Sequence, residues 1–87
     1  MHKFFINQYV SRISKDDVNQ FAKKNEIFLN DQELDIIYEN LKQNWEVVLY
    51  GDPTSLFQEL KTKLKPDSYE KGLQLYRQYY ELYKDYL

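Results

Sequence analysis

Residue types that carry acid–base, nucleophilic or metal chemistry are scarce in this sequence. His2 is the only histidine, and the chain contains no cysteine. A Cys–His pair is therefore excluded, and a Ser–His–Asp triad or an imidazole metal ligand would depend on His2 alone. We predict no catalytic residue, no cofactor and no small-molecule substrate.

Three carboxylates are spaced so that one helix face could present them together. Asp31, Asp35 and Glu39 recur at every fourth position, and such a set could hold a hard cation weakly. A solvated face is the interpretation we favour, since charged side chains seldom bury. Gly51 and Gly72 each stand alone, so no glycine-rich phosphate loop exists. We therefore predict no metal site and no nucleotide site.

Five lysines raise nucleic-acid binding as an alternative function. Lys23 and Lys24, with Lys61, Lys63 and Lys65, could form a local basic patch beside exposed tyrosines, which suits single-stranded nucleic acid. All five also lie at predicted helix C-termini, where cations complement the helix dipole. The formal net charge is −2, without the basic excess that phosphate binding favours. Dipole complementarity is the interpretation we favour.

The C-terminal segment carries two apolar stripes. The first has heptad spacing and consists of Tyr69, Leu73, Tyr76, Tyr80, Tyr83 and Leu87. The second consists of Leu75, Tyr79, Leu82 and Tyr86. Together they are wider than one intramolecular contact requires, and tyrosine suits an interface because its ring buries while its hydroxyl stays wet. We predict that Tyr79, Leu82 and Tyr86 are partly exposed and bind a protein partner or a second copy.

These residues must be positioned by helices, because glycine and proline occur only twice each. The length of 87 residues predicts a single domain over residues 1–87. Its core is rich in aromatic candidates, with five phenylalanines, nine tyrosines and one tryptophan. The predicted fold is all-α, a compact bundle of four to five short helices with the longest at the C-terminus.

Capping signals and apolar periodicity divide the chain. The predicted helices cover residues 3–12, 15–24, 31–44, 53–64 and 68 onward. The predicted N-caps are Ser14 with Asp17, Asn30 with Glu33, Asp52 before Pro53, and Asp67 with Glu70. The predicted core is Phe21, Leu34, Tyr38, Leu41, Trp45, Leu56, Phe57, Leu60 and Leu73.

Two helix ends carry specific expectations. Asn25 is a candidate for a left-handed stop after the second helix. The third helix is expected to end at Asn44, because Val47-Val48 favours extended geometry. The alternative is that the helix continues through Trp45 to Tyr50.

The segments that could meet a membrane are short. The N-terminal apolar stretch Phe4-Phe5-Ile6 is followed at once by Asn7 and Gln8, so we expect neither a signal peptide nor a membrane partner. The absence of cysteine fits a reducing compartment. A cytoplasmic protein is the resulting expectation.

Several short segments, taken in order, resemble a known family. They are Phe5-Ile6-Asn7-Gln8, Ile13-Ser14, Asp17, Ala22-Lys23-Lys24, Ile27, the predicted helix to Leu41, and Lys65-Pro66-Asp67. Over nearly the whole chain they resemble the YqfT-like family of small uncharacterised Gram-positive bacterial proteins. That family is a domain of unknown function, so the resemblance implies a helical fold and a bacterial cytosolic setting, with no activity and no functional residue.

The function predicted from the sequence is that of a non-enzymatic protein-interaction module. Its contact surface is the tyrosine-rich C-terminal helix, through Tyr79, Leu82 and Tyr86. The alternative is a nucleic-acid-associated protein. It is based on the predicted alternation of helices with short extended connectors, a helix–extended–helix organisation, and on the basic residues between Lys61 and Lys65.

Overall fold

The computed structural model describes the backbone of residues 2–86 and the side chains of residues 3–85. The described chain is all-α and contains five helices, as the sequence predicts. They are α1 (His2–Arg12), α2 (Lys15–Lys24), α3 (Asp31–Tyr50), α4 (Thr54–Lys63) and α5 (Pro66–Tyr83), followed by a 3₁₀ turn at Lys84–Tyr86. Within this part of the chain, no helix is apolar over a length that would cross a bilayer.

The third helix corrects two expectations. It has 20 residues and continues to Tyr50, so it is longer than the 18-residue C-terminal helix. The predicted stop at Asn44 was wrong because β-branching at Val47 and Val48 lowers helix propensity by less than about 1 kcal/mol per residue. The helix ends at Tyr50, ahead of Gly51 and Asp52, and Asp52 disfavours helical geometry because it precedes Pro53.

The described helices group into two compact units, one ending at Trp45 and one beginning at Glu46. In the first unit, two reciprocal capping boxes start α2 and α3 as predicted. Ser14 Oγ accepts from the Asp17 amide at 3.1 Å, and the Asp17 carboxylate accepts from the Ser14 amide at 3.0 Å. Asn30 and Glu33 repeat the arrangement at 2.8 and 3.2 Å. Both motifs satisfy backbone donors that a helix start leaves without intrahelical partners.

Lys42 ties α3 to the end of α1. Its Nζ donates to the carbonyl oxygen of Val10 at 2.6 Å, in the turn where helical carbonyls lack intrahelical donors. The ring of Tyr38 lies near two ammonium groups, with Lys42 at 5.4 Å and Lys15 at 5.8 Å from its centroid. Lys15 also pairs with Asp35, so charges and an aromatic face join these helices.

The buried apolar side chains of the first unit are Val10, Val18, Ala22, Ile27 and Trp45. Trp45 confirms the core prediction, whereas Phe21 contradicts it with 47% of its surface exposed. The reason lies in helix geometry: Val18 and Ala22 define the inward direction of α2, and Phe21 points well to one side of it. The remaining predicted core residues in both units are half-buried.

In the second unit, the two predicted N-cap residues, Asp52 and Asp67, do not occupy the N-cap positions. Asp52 Oδ1 accepts from the Thr54 amide at 3.1 Å and the Thr54 hydroxyl at 2.7 Å, but Pro53 occupies the N-cap position of α4. Asp67 lies inside the first turn of α5, because Pro66 is already the first helical residue. Neither acid therefore stands at the N-cap.

The end of α2 holds a left-handed residue other than the one predicted. The Ile27 amide donates to the Ala22 carbonyl at 2.8 Å and the Glu26 amide to the Lys23 carbonyl at 3.0 Å, which is a Schellman motif. Its left-handed position is occupied by Glu26, with φ 62°, while Asn25 has φ −101°. A side chain at such a φ strains the backbone.

Glu26→Gly is expected to stabilise the protein relative to Glu26→Ala by about 1 kcal/mol, because only glycine adopts this φ without steric cost. Both substitutions remove the same carboxylate, so their difference isolates the backbone. Thermal unfolding followed by circular dichroism checks it, with an expected separation of roughly 4–8 °C. Equal melting temperatures for the two variants would contradict the left-handed assignment.

Candidate interaction surface on the C-terminal helix

Tyr76 fixes the packed side of α5. Its hydroxyl donates to the carbonyl oxygen of Val48 at 3.1 Å. Val48 lies in the last turn of α3, where carbonyls lack intrahelical donors. The hydroxyl of one helix therefore completes the hydrogen bonding of another helix's end.

Aromatic packing surrounds the same residue. The Phe57 ring on α4 meets the Tyr76 ring edge-on, with centroids 4.9 Å apart and planes at 69°, an arrangement that aromatic quadrupoles favour. The Tyr80 ring lies 5.7 Å away on the next turn. Burial raises the pKa of the Tyr76 hydroxyl above its ordinary value of 10.0, and Tyr80 adds a smaller effect in the same direction.

Beyond Tyr76, the helix exposes a set of large apolar side chains that we name the C-terminal aromatic face: Tyr79, Leu82 and Tyr83. Their exposed fractions are 41%, 61% and 52%. The Tyr79 and Tyr83 rings are nearly parallel, at 8°, with centroids 6.2 Å apart. The side chain of Tyr86, the third residue predicted to bind a partner, lies outside the described residues.

Tyr83 belongs to the heptad stripe by its spacing, yet its side chain is exposed. A straight α-helix drifts by about 20° per heptad relative to a seven-residue repeat. Tyr69, Tyr76 and Tyr83 are each seven residues apart, so this drift rotates Tyr83 by only about 20° from Tyr76. Tyr83 is the last residue of α5, two turns beyond Tyr76, and it is exposed there together with Tyr79.

One of the carboxylates considered as cation ligands, Asp35, pairs with a lysine in the structure. Asp35 Oδ1 lies 2.5 Å from Lys15 Nζ, and this hydrogen bond and charge pair raise the pKa of Lys15 above its ordinary value. Among residues 3–85, no group of three His, Cys, Asp or Glu side chains is arranged to hold a metal ion.

The lysines considered for nucleic-acid binding are exposed. Lys63 forms an ion pair with Glu59 at 2.7 Å on the same helix, and it also lies in the last turn of α4, as the dipole interpretation requires. Lys65 contradicts that interpretation, because it is the N-cap residue of α5 and so lies at the positive end of a helix dipole.

A second group of exposed rings was not anticipated from the sequence. Phe4, Phe5 and Tyr9 on α1 each have at least 60% of their surface exposed. The burial of Val10 and partial burial of Ile6 show which side of α1 packs. The spacing of these residues in the sequence could have indicated their exposure, because Phe5 and Tyr9 fall on a different helix face from Ile6 and Val10.

Comparisons of this chain with protein-family models, with curated proteins and with solved structures find no match.

Tyr76→Phe is expected to lower the free energy of unfolding by about 1 kcal/mol at neutral pH, because it removes the hydrogen bond to Val48 and retains the ring. Chemical denaturation checks this value. Tyr9→Phe, at a strongly exposed ring, is the matched control and should leave stability unchanged. A Tyr76→Phe variant as stable as the wild type would contradict the role of the hydroxyl.

The stability difference between the wild type and Tyr76→Phe is expected to depend on pH. The raised pKa of Tyr76 means that the folded state favours the protonated hydroxyl. The contribution of this hydroxyl to the free energy of unfolding is therefore fully present below pH 10.0. The contribution is lost as pH rises from there through the folded-state pKa. The stability difference between wild type and Tyr76→Phe should therefore shrink above pH 10. A difference that stays constant to higher pH would contradict this titration.

Proposed function

We propose that this protein is a non-enzymatic interaction module whose C-terminal aromatic face binds protein, either a second copy or a different partner. One observation carries the proposal: Tyr79, Leu82 and Tyr83 are exposed together on successive turns of a helix that Tyr76 anchors. Predicted binding through Tyr86 belongs to the same proposal by its position in the sequence.

The physical chemistry of this face supports binding. Tyrosine and leucine side chains gain free energy when their apolar surface leaves water, at about 25 cal/mol per Å². The Tyr79 and Tyr83 rings lie nearly parallel on this face, so they present adjacent apolar surface to a partner. Exposed aromatic residues grouped in this way are typical of protein interfaces.

The non-enzymatic part of the proposal is supported by composition, with one histidine and no cysteine. The nucleic-acid alternative is less well supported, because the net charge is −2 and Lys63 is engaged by Glu59. A cytoplasmic setting and membership of the YqfT-like family complete the proposal, and they are supported by the sequence features described above.

The test is a double variant, Tyr79→Ser with Leu82→Ser. Because both side chains are exposed, the change should alter stability by about 0.5 kcal/mol or less per site. Association of the labelled protein, measured by sedimentation in pure solution and in extract of the native cell, should weaken about tenfold or more.

The matched control is Tyr9→Ser with Phe28→Ser, which removes two exposed rings from the first unit. This control should sediment as the wild type does. The proposal fails if the wild type is monomeric in both media, or if the Tyr79 and Leu82 variant forms the same complexes as the wild type.

A further inference from the structure

Gly72 lies inside α5 without an intramolecular reason for being glycine. A Cβ built there meets no heavy atom within 4 Å outside its own helix backbone and chain neighbours, and its φ is not positive. Glycine inside a helix costs about 1 kcal/mol relative to alanine. The packing within the described chain therefore leaves this cost without compensation.

Gly72 lies between the packed and the exposed side of α5, because Tyr76 follows it by four residues and Tyr79 by seven. Gly72, Leu75, Tyr79 and Leu82 follow a spacing of three, four and three residues, which is the seam of a helix pair. Gly72 and Leu75 are half-buried, and the exposure increases at Tyr79 and Leu82. This seam has a small residue at one end and a large residue at the other.

We propose that α5 pairs with α5 of a second copy in an antiparallel arrangement, with Leu82 of each copy seated on Gly72 of the other. This inference rests on the proposed function and names the partner. With that alignment, Leu75 faces Tyr79 of the second copy, and the two-fold symmetry repeats each contact. The small residue of each seam thereby meets the large one.

The charges beside the seam fit the same register. Lys71, Gln78 and Asp85 are seven residues apart and flank the seam on one side. In an antiparallel pair such flanking residues face each other, so Lys71 faces Asp85 of the second copy and Gln78 faces Gln78. The backbone at Lys84 keeps right-handed helical angles, φ −57° and ψ −32°, so Asp85 continues the direction of the helix.

Lys71 has an intrachain partner as well. Its Nζ lies 3.4 Å from Asp67 Oδ2, and both side chains are well exposed. Exposed pairs of this kind are weak, so Lys71 can turn to a carboxylate across the seam. Apolar fit and charge complementarity thus select the same partner, which is a second copy of this chain.

Charge reversal tests the register. Lys71→Glu places two carboxylates together at each end of the pair, and Asp85→Lys places two ammonium groups together. Each variant alone should raise the dimer dissociation constant about tenfold. An equimolar mixture of the two should restore association, because every facing pair then has opposite charges.

Two controls change charge on the far side of α5. Arg77→Glu and Glu70→Lys alter the net charge by the same amounts, and neither should change the dissociation constant. Sedimentation equilibrium of the purified full chain measures all five proteins.

Gly72→Ala supplies an independent readout. The added methyl group should raise the melting temperature at low protein concentration by roughly 4 °C, through helix propensity. It should also weaken the dimer, because it occupies the position of Leu82 from the second copy. A higher melting temperature together with weaker dimerisation would show that Gly72 acts at the dimer contact, because a folding defect would lower the melting temperature.

Cross-linking distinguishes antiparallel from parallel pairing, because the chain has no native cysteine. Gln78→Cys should be captured as a dimer by a short bismaleimide reagent, and Arg77→Cys, on the far side, should not. Parallel pairing would bring like seam positions together and give efficient capture at Leu82→Cys instead.

The outcomes separate this inference from the function on which it rests. A pure protein that stays monomeric but forms complexes in extract, lost with Tyr79→Ser and Leu82→Ser, overturns self-pairing and keeps the interaction module. If the dimer dissociation constant is unchanged by Lys71→Glu and by Asp85→Lys, the proposed register is overturned. If each variant alone is monomeric and their mixture dimerises, the result supports both self-pairing and the proposed register.

Discussion

The contacts of Tyr76, a hydrogen bond to the Val48 carbonyl and edge-on packing with Phe57, position α5 within the second unit. The hydrogen bond satisfies a helix-end carbonyl and fixes the rotation of α5 about its own axis. Once that rotation is set, Phe57 meets the Tyr76 ring and Tyr79 and Leu82 face outward. The exposed face is thus a geometric result of the buried contact, since side chains on one helix keep fixed angular relations.

Local signals in the sequence predicted local structure well. The capping boxes at Ser14 and Asn30 need only residues three positions apart, so their patterns were sufficient. The prediction at Asp67 failed because the preceding Pro66 takes the first helical position that proline prefers, and at Asp52 the helix begins one residue later than predicted, with Pro53 at the N-cap. Two local preferences competed there, and the sequence pattern did not show which was stronger.

Features that depend on distant neighbours were harder to predict. The exposure of Phe21 depends on which side of α2 packs, and periodicity over ten residues defined that side poorly. For the candidate surface, the width of the two stripes indicated Tyr79 and Leu82 correctly as exposed positions. The open space at Gly72 could not be read from the sequence, because it is a property of everything around that residue.

The placement of the chromophores gives each unit its own optical label. Trp45, the one tryptophan, is buried in the first unit, whereas seven of the nine tyrosines follow it in the second. Tryptophan emission therefore reports the first unit, and tyrosine absorbance is weighted toward the second. Coincident transitions of the two signals during denaturation are the signature of one cooperative system, and separated transitions are the signature of two. The natural sequence thus carries a built-in assay for cooperativity that needs no added probe.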